Sequence, residues 1–253
     1  MNSSLEQAGL DATERFITTW NSRDPQAWAE SLHYPHVRPA STGEIRVAAD
    51  IDTYIRSVDY QPVIDAGWDH SEWDYRHVLH ANPEKIHVAG QWSRYTAGGE
   101  IILTTPIVYI CTNIDGLWGI QSRFAADYVD EDTDTTGLMT RALNLVQDFV
   151  NHANNRNTGA CAELLNYPHF SVNPGKLDIT ENTGDFELPP FTLQVNSLQA
   201  LQTGLRSINA AVEMIATTPT GQRRLEGVIH INNRDNHLGI QAWSLLDPDL
   251  HEE

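Results

Sequence analysis

The tripeptide Tyr34-Pro35-His36 returns 133 residues later as Tyr167-Pro168-His169. At the same offset Phe16 meets Phe149, Asn21 meets Asn154, Arg23 meets Arg156, Ala29 meets Ala162, Glu30 meets Glu163 and Leu32 meets Leu165. Further on, Asn113-x-Asp115-x-x-x-Gly119-Ile120-Gln121 is echoed by Asn233-x-Asp235-x-x-x-Gly239-Ile240-Gln241, now at an offset of 120. The second copy is therefore shorter by 13 residues between its Tyr-Pro-His and its last strands. A period this long marks repeated domains and not a solenoid. The 253 residues divide into a first domain over 1–126, a linker over 127–137 and a shortened second domain over 138–253, each domain large enough to bury its own core.

The net charge of −18 is distributed as −7 over 1–126, −5 over 127–137 and −6 over 138–253. Neither half offers a basic face to a phosphate backbone, so nucleic acid is not an expected partner. Cys111 and Cys161 stand at non-equivalent positions, which supports neither a disulfide framework nor a thiolate metal site and fits a reducing, cytoplasmic setting. The start, Met1-Asn2-Ser3-Ser4, has no basic and apolar leader, and no segment approaches the roughly 20 apolar residues of a membrane span. No membrane partner is expected.

Apolar spacing predicts a helix over 4–21 and a second, opened by Asp24-Pro25, running to about residue 32, where Tyr34-Pro35 closes it. A hairpin follows with Gly43 in its turn, then a third helix over 49–64. Strands are predicted near 71–81, 85–96, 101–112 and 117–126, separated by Asn82-Pro83, Gly98-Gly99 and Asp115-Gly116. Residues 127–137 carry five acidic side chains and no apolar period, and read as a solvated tether. The second half repeats helices over 138–152 and 158–165 and strands near 191–201, 205–217, 222–232 and 238–246. Asn173-Pro174-Gly175 through Pro189-Pro190 replaces the hairpin and third helix of the first half. The order argues for an α+β fold with helices covering one face of a curved antiparallel sheet.

That order, the Tyr34-Pro35-His36-Val37-Arg38 run, the Trp92-Ser93-Arg94-Tyr95 strand and the closing Gly116-x-Trp118-Gly119-Ile120-Gln121-x-Arg123 resemble the nuclear transport factor two-like superfamily in its SnoaL-like branch. The resemblance spans residues 5–126 and, more weakly, 138–247. It implies two tandem cone-shaped barrels, each a curved sheet closed by helices around an apolar pocket, packed as a pseudo-dimer within the chain, with homo-oligomers common in the family. It also implies cofactor-free chemistry, such as isomerisation, dehydration, epoxide hydrolysis, cyclisation or lyase cleavage, or binding alone. A fold of this kind does not decide among them.

The densest group of reactive and aromatic residues is Gly67-Trp68-Asp69-His70-Ser71-Glu72-Trp73-Asp74-Tyr75. Strand alternation sends His70, Glu72 and Asp74 to one side and Asp69, Ser71 and Trp73 to the other, so on a regular strand Asp69 and His70 do not both point inward. Asp69 orienting His70 would make a general acid or base near neutral pH. His36 is a second proton carrier and Arg38 a cation for an enolate, phenolate or carboxylate, although a histidine present in both halves also fits a backbone-bonding role. Tyr34 and Tyr95 are hydroxyl donors of the catalytic set, and Tyr54, Trp68, Trp73 and Trp92 are the expected substrate wall. For Arg94 and Arg123 the outer sheet face, with pairing across the domain interface, is one placement open to strand residues. His33-x-x-His36 and His77-x-x-His80 lack the glutamate of a zinc helix, so no metal and no other cofactor is expected.

Six of the seven tryptophans lie in the first half, and at an offset of 120 Val212, Met214 and Ile215 replace Trp92, Arg94 and Tyr95. The first domain is therefore where a pocket for a small molecule is expected. The reading is a cofactor-independent lyase, dehydratase or isomerase acting on a small aromatic or polycyclic substrate. A non-catalytic small-molecule-binding or assembly protein is the alternative, and an epoxide hydrolase a further one.

Overall fold

A computed structural model describes residues 3–251. The first half runs α1 (Ser3–Asn21), α2 (Pro25–Ala29), β1 (Leu32–Pro39), β2 (Ile45–Ala48), α3 (Ile51–Ser57), α4 (Gln61–Asp65), β3 (His70–Ala81), β4 (Lys85–Tyr95), β5 (Ile101–Ile114) and β6 (Leu117–Ala125). The second repeats it as α5 (Thr136–Asn154), α6 (Thr158–Ala162), β7 (Leu165–Asn173), β8 (Lys176–Thr180), a 3₁₀ turn (Thr183–Asp185), β9 (Thr192–Thr203), β10 (Ser207–Thr218), β11 (Gly221–Arg234) and β12 (His237–Leu246). Each half forms one six-stranded sheet, in the orders β2-β1-β6-β5-β4-β3 and β8-β7-β12-β11-β10-β9. Among the described residues no helix is long and apolar enough to cross a membrane.

Strand alternation divides each first-half strand between two cores. Tyr109, Cys111, Ile86, Val88 and Ile120 pack under α1 and α2 with Phe16, Trp20 and Trp28. Their neighbours Val37, Ala89, Val108, Ile110 and Phe124 turn to the other face and meet Phe170, Val172, Val228 and Ala242 of the second sheet. The two sheets thus pack face to face through a shared apolar layer. Polar groups fix the seam: Lys85 Nζ donates to the Val172 and Leu245 carbonyls at 2.7 and 2.8 Å. Gln202 Nε2 donates to the Gly90 and Ile107 carbonyls, both at 2.9 Å.

The repeated tripeptide lies inside a strand, not at the end of a helix. Helix α2 stops at Ala29 and β1 begins at Leu32, so Tyr34-Pro35-His36 spans the register shift of the β1–β6 pairing. There the Tyr34 hydroxyl donates to the Ala29 carbonyl at 2.9 Å and His36 Nδ1 donates to the Ile120 carbonyl at 3.1 Å. Gln121 Nε2 bonds the Pro35 carbonyl. Tyr167, His169 and Gln241 repeat all three bonds onto Ala162, Ile240 and Pro168. Gly119 permits the same approach, since a Cβ there would meet the His33 ring at 2.5 Å.

Four further expectations change. The sheet is mixed, because β1 and β7 pair parallel to β6 and β12; the whole β2-to-β5 excursion separates them, which is the long crossover that parallel pairing needs. The helix expected over 49–64 is two short ones: Val58 is extended, the Asp59 carboxylate accepts from the Gln61 N–H at 2.9 Å, and Pro62 would clash with the Val58 carbonyl in a continuous helix. The second half keeps its hairpin, with β7 and β8 joined through Asn173 and Lys176 around Gly175, so only the helices are lost. The tether is docked at its start, where the Asp127 carboxylate accepts from the Leu205 and Arg206 N–H groups and the Ser207 hydroxyl.

Candidate functional site

Parallel pairing of β1 with β6 sets Val37 beside Ser122, and both turn toward the other sheet. The next residues, Arg38 and Arg123, therefore stand side by side on the opposite face. This is the helix-covered interior of the first domain, and it corrects the outer-face placement considered for Arg123. The guanidinium lies 4.9 Å from the Phe16 ring centroid and 5.7 Å from that of Trp28. Its Nε donates to His36 Nε2 at 3.3 Å and its Nη2 to the Tyr54 hydroxyl at 3.2 Å. Among the described residues, neither Arg38 nor Arg123 has a carboxylate partner.

His36 is 2 % exposed, and both ring nitrogens are engaged, Nδ1 as donor to Ile120 and Nε2 as acceptor from Arg123. Burial, then the Arg123 charge, hold its pKa well below the usual imidazole value, and a neutral ring suits both bonds. Burial, with Arg123 next, lowers the Arg38 pKa to about 10. Burial likewise raises the Tyr54 hydroxyl, against the pull of both arginines. Tyr34 packs edge-on to Tyr54 at 6.1 Å, its own hydroxyl tied to Ala29.

The remaining interior is aromatic. Trp20 contacts Trp28 at 4.5 Å, Tyr60 at 4.8 Å and Trp68 at 4.9 Å between centroids, and Trp73 meets Tyr109 edge-on at 5.5 Å. Arg94, also inward, lies over Trp20 and Trp92 at 5.4 and 5.5 Å. Trp68 Nε1 donates to the Ser71 hydroxyl at 3.1 Å. The buried indole N–H groups of Trp20, Trp28 and Trp73, the Tyr60 hydroxyl and Arg94 Nε have no hydrogen-bond partner.

His70 and Asp69 lie elsewhere. Both turn outward at the start of β3, bonded to each other at 2.9 Å, with their side chains 37 % and 50 % exposed. The imidazole stacks on Tyr95 at 5.3 Å, and Glu72 stands 3.6 Å from Nε2. The structure thus brings His36, Arg38, Tyr34 and Tyr54 together, gathers Trp68, Trp73 and Trp92 around the same interior, and separates His70, Asp69 and Tyr95 onto the surface. Among the described residues no three His, Cys, Asp or Glu side chains converge as metal ligands. Two surface hollows, one of about 350 Å³ beside Phe191 and Arg223 and one beside Tyr75 and Tyr128, touch none of the expected site residues except through neighbouring strands.

Arg123 is the residue that sequence reasoning left out of the site. The signal was available: at the offset of 120 its twin is Trp243, and an exchange of arginine for a large aromatic suits an inward position against rings. Trp243 indeed packs on Phe149 and His169 in the second interior. Strand pairing also resets the comparison of β4 with β10. Trp92 lies across from Thr105 and Met214 from Leu225, so the equivalents of Trp92 and Arg94 are Met214 and Ala216, at an offset of 122.

No family model matches the chain. No curated protein matches it. Similar solved structures include an NTF-2-like protein of unknown function from Shewanella oneidensis, 13 % identical with a TM-score of 0.40, covering 48 % of this chain and 98 % of its own. A domain of unknown function with a cystatin-like fold from Nostoc punctiforme is 15 % identical, with a TM-score of 0.41 over 58 % of this chain and 97 % of its own. Aln2 from a Streptomyces species is 12 % identical, with a TM-score of 0.40 over 53 % and 93 %. The likeness of this chain to known structures is to NTF-2-like and cystatin-like folds, each covering about half of it.

Proposed function

We propose that the first domain is a receptor for a small planar aromatic molecule and that binding, not acid–base turnover, is its primary activity. The observation that carries this reading is the set of unpartnered buried donors among stacked rings: Trp20, Trp28, Trp73, Tyr60 and Arg94. An unsatisfied buried donor costs about 1–3 kcal/mol, and an apolar wall carrying a few convergent polar groups is the usual make-up of a ligand site. Aromatic walls favour a flat ligand, and its carbonyl or hydroxyl oxygens supply the missing acceptors. The lyase, dehydratase or isomerase reading has weaker support, because His36 is neutral with both nitrogens engaged. The epoxide hydrolase reading would need interior carboxylates beside the arginines, and none pairs with them among the described residues.

One observation favours a catalytic second reading: the Asp69–His70 dyad stacked on Tyr95 is a carboxylate-oriented imidazole, and it would serve as an acid or base at the rim of the sheet. Titration of tryptophan fluorescence with naphthalene-sized ketones, phenols and carboxylates separates the readings. The receptor reading expects saturable quenching at one equivalent, unchanged in His70→Ala. A flat response across all three chemical classes would sink it.

A further inference from the structure

We propose that the first-domain ligand is an aromatic carboxylate, held with its carboxylate between Arg38 and Arg123. This rests on the receptor reading and adds the charge of the ligand. The parallel register sets the two guanidinium-bearing residues next to each other on one face, close enough that the Arg123 charge disfavours that of Arg38. Arg123 uses Nε and Nη2 on His36 and Tyr54, which fixes the plane of its fork. Arg38 makes no hydrogen bond or ion pair with the protein among the described residues. Adjacent like charges taken out of water without a counter-charge are costly, and a carboxylate is the planar anion that two guanidinium forks accept through paired N–H···O bonds.

The second domain supplies the control. It repeats the tyrosine and histidine bonds of the motif, and its register sets Ser171 directly beside Trp243. By position these are the twins of Arg38 and Arg123. The same seam of the same fold is therefore closed by a hydroxyl and an indole, without any cation. The arginine pair is not a requirement of the architecture. In a chain of net charge −18, two interior cations stand side by side here with no carboxylate in ion-pair contact, Glu44 acting on Arg38 only from farther away, and the spot suits an anion.

Calorimetric titration of the full chain with 2-naphthoate and its neutral isostere 2-naphthamide tests the assignment. The expected result is that naphthoate binds at least about tenfold more tightly than naphthamide, each tenfold corresponding to about 1.4 kcal/mol. Arg38→Met, the more open of the two positions, should remove that preference, weakening naphthoate far more than naphthamide. Arg123→Lys, which keeps a charge but loses the fork, should lower it in part and guards against a folding defect in an Arg123→Met protein. Equal binding of acid and amide, or a preference that survives Arg38→Met, overturns the carboxylate seat and leaves the receptor reading standing. Failure of both compounds to bind overturns the seat, and a flat fluorescence response to ketones, phenols and carboxylates alike overturns the receptor reading with it.

Discussion

Asn21 uses one side-chain amide twice: Nδ2 donates to the Ser71 carbonyl at 2.8 Å and Oδ1 accepts from the Ser71 N–H at 2.9 Å. Asn154 does the same to Leu193, at 2.7 Å in both directions. Each asparagine thus pairs with an edge strand as if it were a further strand, and each sits just before an arginine in left-handed backbone, Arg23 at φ 59° and Arg156 at φ 57°. Hydrogen bonding alone accounts for the match of Asn21 with Asn154 at the 133-residue offset. Asn21→Ala leaves a donor and an acceptor open at the buried Ser71, and such losses cost about 1–3 kcal/mol. We expect a lowered Tm together with faster amide exchange at Ser71. Unchanged exchange there would show that the strand holds its place without the clamp. His36 belongs to the same class of residue: its twin His169 bonds Ile240 as His36 bonds Ile120, while Nε2 meets Arg123 in one and the ring packs on Trp243 in the other.

The elements differ most where the halves differ in length. In the first half α3 and α4 lie between β2 and β3 and bring Tyr54 and Tyr60 into the interior, while the second half crosses the same gap with the Thr183–Asp185 turn and Phe186. The join between halves is an element of its own. Asp127 receives N–H donors from Leu205 at 2.5 Å and Arg206 at 3.2 Å and the Ser207 hydroxyl at 2.7 Å, so it caps the β9–β10 turn of the other domain. Hydrogen bonds to a charged acceptor contribute about 1.5–3 kcal/mol each before mutual overlap. Asp127→Ala should therefore cost at least about 2 kcal/mol in urea unfolding at an unchanged m-value; a loss below about 0.5 kcal/mol, the range of ordinary surface changes, would mean that the turn is set by its own strands. Much of this level was legible in the sequence. Strand positions followed from alternation and turn pairs, and the helices from spacing and the Asp24-Pro25 start. The parallel β1–β6 pairing was not, because no local residue pattern encodes which distant strand lies alongside. Without that pairing the adjacency of Arg38 and Arg123 could not be seen either, and the candidate site was assembled around the histidines instead.

At the scale of the molecule, five histidines are enclosed by the two cores and the seam between them: His36, His80, His87, His169 and His230, none more than 7 % exposed. At the seam His80 Nδ1 and His87 Nδ1 share a hydrogen bond of 3.1 Å, His87 Nε2 meets the Ser244 hydroxyl at 3.0 Å, and His230 Nδ1 bonds the Asn209 side-chain oxygen at 2.8 Å. A neutral ring serves in each, and burial lowers His80, His169 and His230 to about 4 and takes His36 and His87 well below the ordinary value of 6.5. The sign follows from linkage. Between pH 6.5 and about 4 the unfolded chain binds protons that the folded one refuses, so stability is full above 6.5 and declines as the pH falls through that window. Each histidine contributes a slope of up to about 1.4 kcal/mol per pH unit. Five such slopes exceed, within two or three pH units, the roughly 5–15 kcal/mol that holds a typical domain together. The measurement is Tm against pH from 8 to 4 in constant salt: a plateau above pH 7 and a steep fall beginning near 6.5. His87→Gln, which removes one titrating ring from the seam but keeps polar atoms there for Ser244 and His80, should make that fall shallower even if it lowers the plateau. A Tm that stays level down to pH 5 would show that the buried rings take up protons in the folded state.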